Sequence, residues 1–499
     1  MSLTLSSARS AGTPRNTRRT LGRLAVAACS LSLLATLSPA ASAVTTAPAA
    51  PASSAKHDGG TNGRAYKRVG YFTQWGVYGR NFQVKDLDTS GQAAKLSHIN
   101  YAFGNVNAEG KCFTGNVAGE ADAWADYARP LDAAGSVDGV ADTAEQPLAG
   151  NFNQLRELKA KHPGLKVLIS LGGWSWSTHF SDAARTPASR KALVSSCIDL
   201  YIKGNLPVDG TRGGAGAAAG LFDGVDIDWE WPGSEGDTDT VFRPEDKRNF
   251  TALVHEFRTQ LDAYAKSQAP RGTKPKHYDL SAFVPAAPAK IDAGFDVPRI
   301  MRDFDFVNLQ GYDFHVSGEK TTSQQSALYA ARGDFSVDQT VRDWERRGAP
   351  ARKLVVGLPF YGQGWTGVTG GGDGLGQPAA APAPGVWAPG TEDYKVLKGL
   401  AATGTYKVHR DVKNGSAWLF DGTTLWTYDD PQVLRAKTAY IRHKGLGGAM
   451  VWSMDGDTAD GELTTAIDRG LSLCGAVRVP ALAAADPDHR PAQLGRYVE

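Results

Sequence analysis

The sequence predicts an α/β fold, a (β/α)8 TIM barrel with a small α+β insertion between strand 7 and helix 7. Eight short β-branched or aromatic runs recur along the chain, at 68–72, 98–103, 166–171, 224–229, 278–284, 304–312, 353–359 and 448–452. Helical patterns lie between them, as at 153–161, 189–202 and 247–266, and this alternation favours a parallel sheet. Eight such units closing on themselves make a barrel, whose working residues sit at the C-terminal strand ends.

Taken in order, the chain opens with Arg15, Arg18, Arg19 and Arg23, an apolar run at 24–37, and Ala41-Ser42-Ala43. That is the layout of a secretory signal peptide, residues 1–43, cleaved after Ala43. The Arg18-Arg19 pair leaves both Sec and twin-arginine export open. Val26-Ala27-Ala28-Cys29 looks like a lipobox, but only five apolar residues separate Arg23 from Cys29, too few for the hydrophobic segment that lipid attachment needs. Residues 44–65 form a flexible leader rich in Ala, Pro, Thr and Ser, 66–474 the barrel with its insertion, and 475–499 a mobile tail. No other run is apolar enough to span a bilayer, so a secreted, extracellular, monomeric product with no membrane attachment is expected.

Removing residues 1–43, which hold five Arg and no acid, takes the formal charge from +2 to −3. Nothing in that balance suggests a nucleic-acid partner. Three cysteines follow the signal, Cys112, Cys197 and Cys474, so at most one bridge forms within the chain. Cys112 with Cys197 is the expected pair, because both fall in the first half of the fold; a reduced, buried trio is the alternative.

Two intervals exceed plain connections, 104–164 and 361–428. The second begins Gly-rich and then offers short strands at 406–409, 417–420 and 424–428, which reads as an inserted lobe at about 362–427. Asp430-Pro431 restarts the helix as N-cap and first-turn Pro.

The fourth run, Asp223-Gly224-Val225-Asp226-Ile227-Asp228-Trp229-Glu230, carries the chemistry. Side chains alternate along a strand, so Asp226, Asp228 and Glu230 share one face, and Val225, Ile227 and Trp229 the other. Ionised together the acids repel, so some hold protons near neutral pH. The outermost, Glu230, suits general acid catalysis, which glycosidic bond cleavage requires. A divalent-cation loop would carry polar and Gly spacers where this run has apolar ones. A solvated acidic edge would not alternate with a buried apolar face. His179, His315 and the other histidines lack ligand spacing, so no metal and no cofactor are expected.

These residues, with others in order along the chain, resemble glycoside hydrolase family 18, and within it the secreted bacterial chitinases that carry an α+β insertion. The acidic run is similar to the family's DxxDxDxE motif, at Asp223, Asp226, Asp228 and Glu230. Ser170-Leu171-Gly172-Gly173 resembles its SxGG motif, Tyr312-Asp313 its Tyr-Asp pair, and Trp452 the aromatic floor under the reacting sugar.

The resemblance implies hydrolysis of β-1,4 links in chitin and chitooligosaccharides by substrate-assisted retention. Glu230 would be the acid, Asp228 would orient the acetamido group, Asp226 would share a proton with Asp228, and Tyr312 would bond the acetamido oxygen. Asp313, Trp452, Trp174 and Gln310 would bind substrate, while Asp223, Ser170, Gly172 and Gly173 would be structural. Trp75, Trp231 and Trp365 also follow strand ends and are candidates either for the cleft wall or for loop packing. Two departures stand out: Gln310 where relatives commonly have Met, and no aromatic in Val316-Ser317-Gly318. The competing functions are cleavage of N-glycan cores by the same chemistry and a chitin-binding lectin on an inactive barrel, which normally requires loss of the acid that Glu230 supplies.

Overall fold

Apolar strands of this kind need cover on both faces, and a closed barrel inside a ring of helices supplies it. The computed structural model describes residues 66–331 and 333–472; the expected signal, leader, Cys474 and tail lie outside the described residues. Eight strands, β1 (Lys67–Thr73), β2 (His98–Val106), β3 (Lys166–Gly172), β4 (Gly224–Asp228), β5 (Asp279–Val284), β6 (Val307–Leu309), β7 (Leu354–Pro359) and β8 (Gly448–Trp452), pair in parallel in chain order. β1 pairs with both β2 and β8 and closes the barrel. Each strand is followed by a helix of the outer ring: α1 (Val84–Thr89), α2 (Gly150–Lys161), α3 (Pro187–Cys197), α4 (Asp246–Gln268), α5 (Val297–Asp303), α6 (Val337–Arg346), α7 (Pro431–Lys444) and α8 (Glu462–Ser472), with further short helices at Phe180–Ala183 and Pro288–Gly294.

The period of two along the strands sorts the core into layers. Phe72, Ile99, Tyr101, Val225, Ile227 and Trp229 face outward into the helix layer, whereas Val69, Tyr71, Ala102, Leu168, Val355 and Met450 fill the barrel interior. Trp229 packs between Phe180 and Phe250 at 5.5 and 5.9 Å between centroids, which turns Asp226 and Asp228 inward.

Two elements depart from expectation. The sixth strand is shorter than 304–312, because Phe304 caps α5 and Tyr312-Asp313 leave the sheet, Asp313 at a positive φ of 55°. The third helix ends at Cys197 and continues as a π turn over Ile198–Ile202. Cys112 and Cys197 are joined as a disulfide across 85 residues of chain.

Between β7 and α7 stands a lobe with its own core of Trp365, Val368, Trp418, Phe420 and Leu425. Its antiparallel sheet runs Ala381–Pro382, Tyr361–Thr366, Thr424–Tyr428, Ser416–Phe420, Lys407–Asp411, with Thr391–Asp393 also paired to Tyr361–Thr366 and a helix at Tyr394–Ala402. The Gly-rich start, for which the sequence offers no strand, is therefore a central strand. A Cβ at Gly362 would meet Leu397 at 2.5 Å, and one at Gly364 would meet the Trp426 ring at 2.3 Å. Glycine there serves close packing, not a loop. At the lobe's exit Asp430 accepts from the N–H groups of Gln432 and Val433 at 2.9 and 3.0 Å, with Pro431 in the first turn of α7.

Candidate active site

The C-terminal mouth of the barrel holds a cavity of about 690 Å³ lined by Asp228, Glu230, Tyr312, Asp313, Gln310 and a set of aromatic rings. β4 delivers the acids. Asp226 is fully buried, Asp228 is 3% exposed, and Glu230 stands partly open two residues past the strand end.

Asp226 receives four donors: Tyr71 Oη at 2.6 Å, Ser170 Oγ at 2.8 Å, Ser281 Oγ at 2.5 Å and Asn308 Nδ2 at 3.3 Å. Burial pushes its carboxyl up, and these bonds partly offset that. Asp228 lies within hydrogen-bonding reach of Glu230. Burial and the neighbouring charges of Glu230 and Asp226 hold Asp228 well above the usual carboxylate range. Its Oδ1 is buried and meets no hydrogen-bond partner among the described residues. Glu230 is pushed up to about 8, chiefly by burial, with Lys290 opposing and Asp313 adding to the rise. A carboxyl of that kind carries its proton at neutral pH and can give it up, which is the property a general acid needs.

Tyr312 lies stacked on Phe283 at 5.9 Å. Burial and the nearby acids push its phenol well up, so it stays a neutral donor. Asp313 accepts from Tyr361 Oη at 2.7 Å and Gln363 Nε2 at 3.0 Å, two side chains of the lobe's central strand. Gln310 Oε1 accepts from the Ala286 N–H at 3.2 Å, tying the ends of β5 and β6 together. Trp452 lies stacked on Phe103 at 5.7 Å and edge-on to Tyr71 at 5.3 Å, forming the apolar floor.

Trp174, 50% exposed, and Trp75 line the rim, as does Trp176, whose indole donates to the Gly119 carbonyl at 2.7 Å. Trp231 and Trp365 are buried instead, the first under Lys290 and the second in the lobe core. Gly172 and Gly173 have positive φ, and a Cβ would strike the Asp228 carbonyl at 2.4 Å or the Phe103 ring at 2.5 Å. Ser170, expected to matter for small size, also contributes a hydroxyl to Asp226. Asp223 lies at the opposite end of β4, between Lys159 at 2.7 Å, Lys276 at 2.9 Å and the Val167 N–H at 3.0 Å.

Sequence reasoning missed Tyr71, Ser281, Asn308, Tyr361, Gln363 and Ser177. Ser177 Oγ accepts from the Glu230 N–H at 2.9 Å and donates to the Gly173 carbonyl at 2.8 Å, fixing the backbone of the acid to the loop after β3. The signal was present for Ser281, a lone hydroxyl at inward parity in an apolar strand, and it pairs in register with Asp226 as Ser170 does on the other side. His277, Asp279 and Asp305 bring ligand-type atoms together, but they lie at the other end of the barrel, and Asp279 already accepts from Lys166 at 2.7 Å.

Comparison with known proteins agrees with this geometry. Residues 67–457 match Glycosyl hydrolases family 18. The chain is similar to Chitinase 63 of Streptomyces plicatus, 41% identical over 83% of this chain and 62% of the relative, and to Chitinase C of Streptomyces lividans, 41% identical over 81% and 60%. It thus spans about three fifths of the length of these curated relatives. Among solved structures, the catalytic domain of psychrophilic chitinase B from Arthrobacter TAD20 superposes with a TM-score of 0.77 at 49% identity, covering 81% of this chain and 95% of that one. An eight-stranded barrel, four acids in the expected spacing on and beside its fourth strand and a match over most of the chain lead to one conclusion: the chain belongs to glycosyl hydrolases family 18.

Proposed function

We propose that this chain is a chitinase that hydrolyses β-1,4 linkages of poly-N-acetylglucosamine with retention, the acetamido group of the substrate acting as nucleophile. One observation carries the reading: Asp228 and Glu230 line a single cavity with Tyr312 and Trp452, and burial pushes both carboxyls up. Two-carboxylate retention needs an ionised nucleophile about 5 Å from the acid across the scissile bond. Asp228, buried and held well above the usual carboxylate range, is poorly suited to that part, and the acetamido group of the sugar takes it.

In this mechanism Glu230 protonates the glycosidic oxygen while the acetamido carbonyl attacks the anomeric carbon, and an oxazolinium ion forms. As the sugar enters, Asp228 leaves Glu230, and its unpartnered Oδ1 accepts from the acetamide N–H. Its proton is then shared with Asp226, where the 3.3 Å bond from Asn308 is the weakest of the four and yields. The Asp226–Asp228 pair offsets the ring charge, Tyr312 donates to the acetamido oxygen, and Trp452 stacks under the sugar. Asp313, Trp174 and Gln310 bind substrate from the rim, while Asp223, Gly172 and Gly173 brace the strands. Water, activated by Glu230, opens the intermediate.

Names of relatives at 41% and 49% identity support chitin as the substrate. The Arg-rich, apolar, Ala-Ser-Ala pattern of residues 1–43 and the Cys112–Cys197 bridge support export to an oxidising compartment. No helix among the described residues is long and apolar enough to cross a membrane.

The test is a product profile on N-acetylglucosamine oligomers, fully deacetylated chitosan and an N-glycoprotein. Cleavage of the first alone is expected. Brisk cleavage of deacetylated chitosan would remove the acetamido nucleophile, and release of N-glycans would move the substrate class.

A further inference from the structure

Arg80 sits outside the cavity lining, in the loop after β1, yet it is the meeting point of three rims of the site. Its Nη1 donates to Asp393 Oδ1 at 2.6 Å and Oδ2 at 2.5 Å. Its Nε lies 3.1 Å from Asp455 Oδ2. Its guanidinium also lies over the Trp387 ring, 4.8 Å from the centroid. The arginine side chain is 19% exposed and the two carboxylates 5% and 2%, so the cluster is largely withdrawn from water.

Each partner leads to the site by a short covalent or hydrogen-bonded route. Asp393 pairs in register with Tyr361, whose hydroxyl holds Asp313. Asp455 lies three residues beyond Trp452 and accepts from the Ser453 hydroxyl. Arg80 itself is carried by the loop that presents Trp75. Lys395 reinforces the junction, 3.5 Å from Asp393 and donating to the Asp455 carbonyl at 2.6 Å.

We infer that Arg80 is a positioning residue that sets Asp313 and Trp452 relative to one another by clamping the lobe and the β8 loop to the β1 loop. The planar fork suits the task, since guanidinium can address two carboxylates and an aromatic face at once, as an ammonium cannot. Without it, two nearly dry carboxylates face each other with only Lys395 between them, and the two segments move apart. Trp452 and Asp313 are on opposite segments, so one lost clamp disturbs both. This role rests on the hydrolytic function proposed above.

The experiment is a pair of double-mutant cycles on kcat/KM for a soluble N-acetylglucosamine oligomer, Arg80→Ala with Tyr361→Phe and Arg80→Ala with Trp452→Phe, well below the melting temperature of each variant. Arg80→Ala is expected to lower kcat/KM about tenfold, and each double variant to lose clearly less than the product of its single losses, because the clamp acts through those two residues. Arg80→Lys, which keeps the charge but not the fork, is expected to restore stability more than activity, and it carries the same cycles if the alanine variant does not fold. Activity of Arg80→Ala within about twofold of the parent, or losses that multiply in both cycles, would overturn the positioning role while leaving the hydrolytic function standing. A parent chain that cleaves no such oligomer would sink both.

Discussion

Glu230 is where the chemistry converges, and its environment makes two expectations. Glu230→Gln keeps shape and hydrogen bonding but has no proton to give, so hydrolysis should fall at least about 10³-fold with oligomer binding retained by fluorescence titration. Substantial residual turnover would take the acid role away from it. Lys290 opposes the rise of the Glu230 pKa and lies 5.3 Å over the Trp231 ring, next to the acid in the chain. Replacing it with Gln removes a positive charge that favours the carboxylate, so the Glu230 pKa should rise. The alkaline limb of kcat/KM, where the acid loses its proton, should move to higher pH; a limb that stays or moves down would contradict the assignment. Much of this was legible from Asp226, Asp228 and Glu230 alone, because alternation in a strand is a local rule. The donors on Asp226 were not, since Tyr71, Ser170, Ser281 and Asn308 come from four other strands and meet only through register.

At the scale of elements, the lobe is more than a wall of the cleft. Its first strand supplies both hydrogen bonds to Asp313, through Tyr361 and Gln363. Excising 362–427 therefore should slow small soluble substrates as well as polymer, and Tyr361→Phe alone should cost kcat/KM about tenfold by leaving a buried carboxyl one donor short. A shortened chain as fast as the parent on a dimer-sized substrate would make the lobe a polymer-binding wall and nothing more. The existence of the lobe was readable from its length and its later strands. Its attachment to the site was not, because Gly362, Gly364 and Gly367 resemble a linker until Leu397 and Trp426 are brought against the first two. The eight barrel strands, by contrast, were all found as apolar runs, and the sixth was drawn longest beyond its strand, because Phe304 and Phe306 before it and Tyr312 after it extend the aromatic pattern past the sheet.

For the whole molecule, the closed barrel keeps the acids dry and the Cys112–Cys197 bridge staples the long 104–164 excursion to the end of α3. Replacing both cysteines by Ser should lower stability by about 2–4 kcal/mol, through the freedom regained by the unfolded chain, and leave kcat at low temperature unchanged, since neither cysteine lines the cavity. Loss of activity in a folded double variant would instead tie that excursion to catalysis. With the acetamido group as nucleophile, the proposed mechanism follows one stereochemical course. Two displacements at the anomeric carbon, first by the acetamide and then by water, return the original configuration. Proton NMR of the freshly cleaved oligomer, recorded before mutarotation, should therefore detect the β-anomer first; an initial α-anomer would mean direct attack by water and would contradict the acetamido nucleophile and the role of Asp228 as its partner.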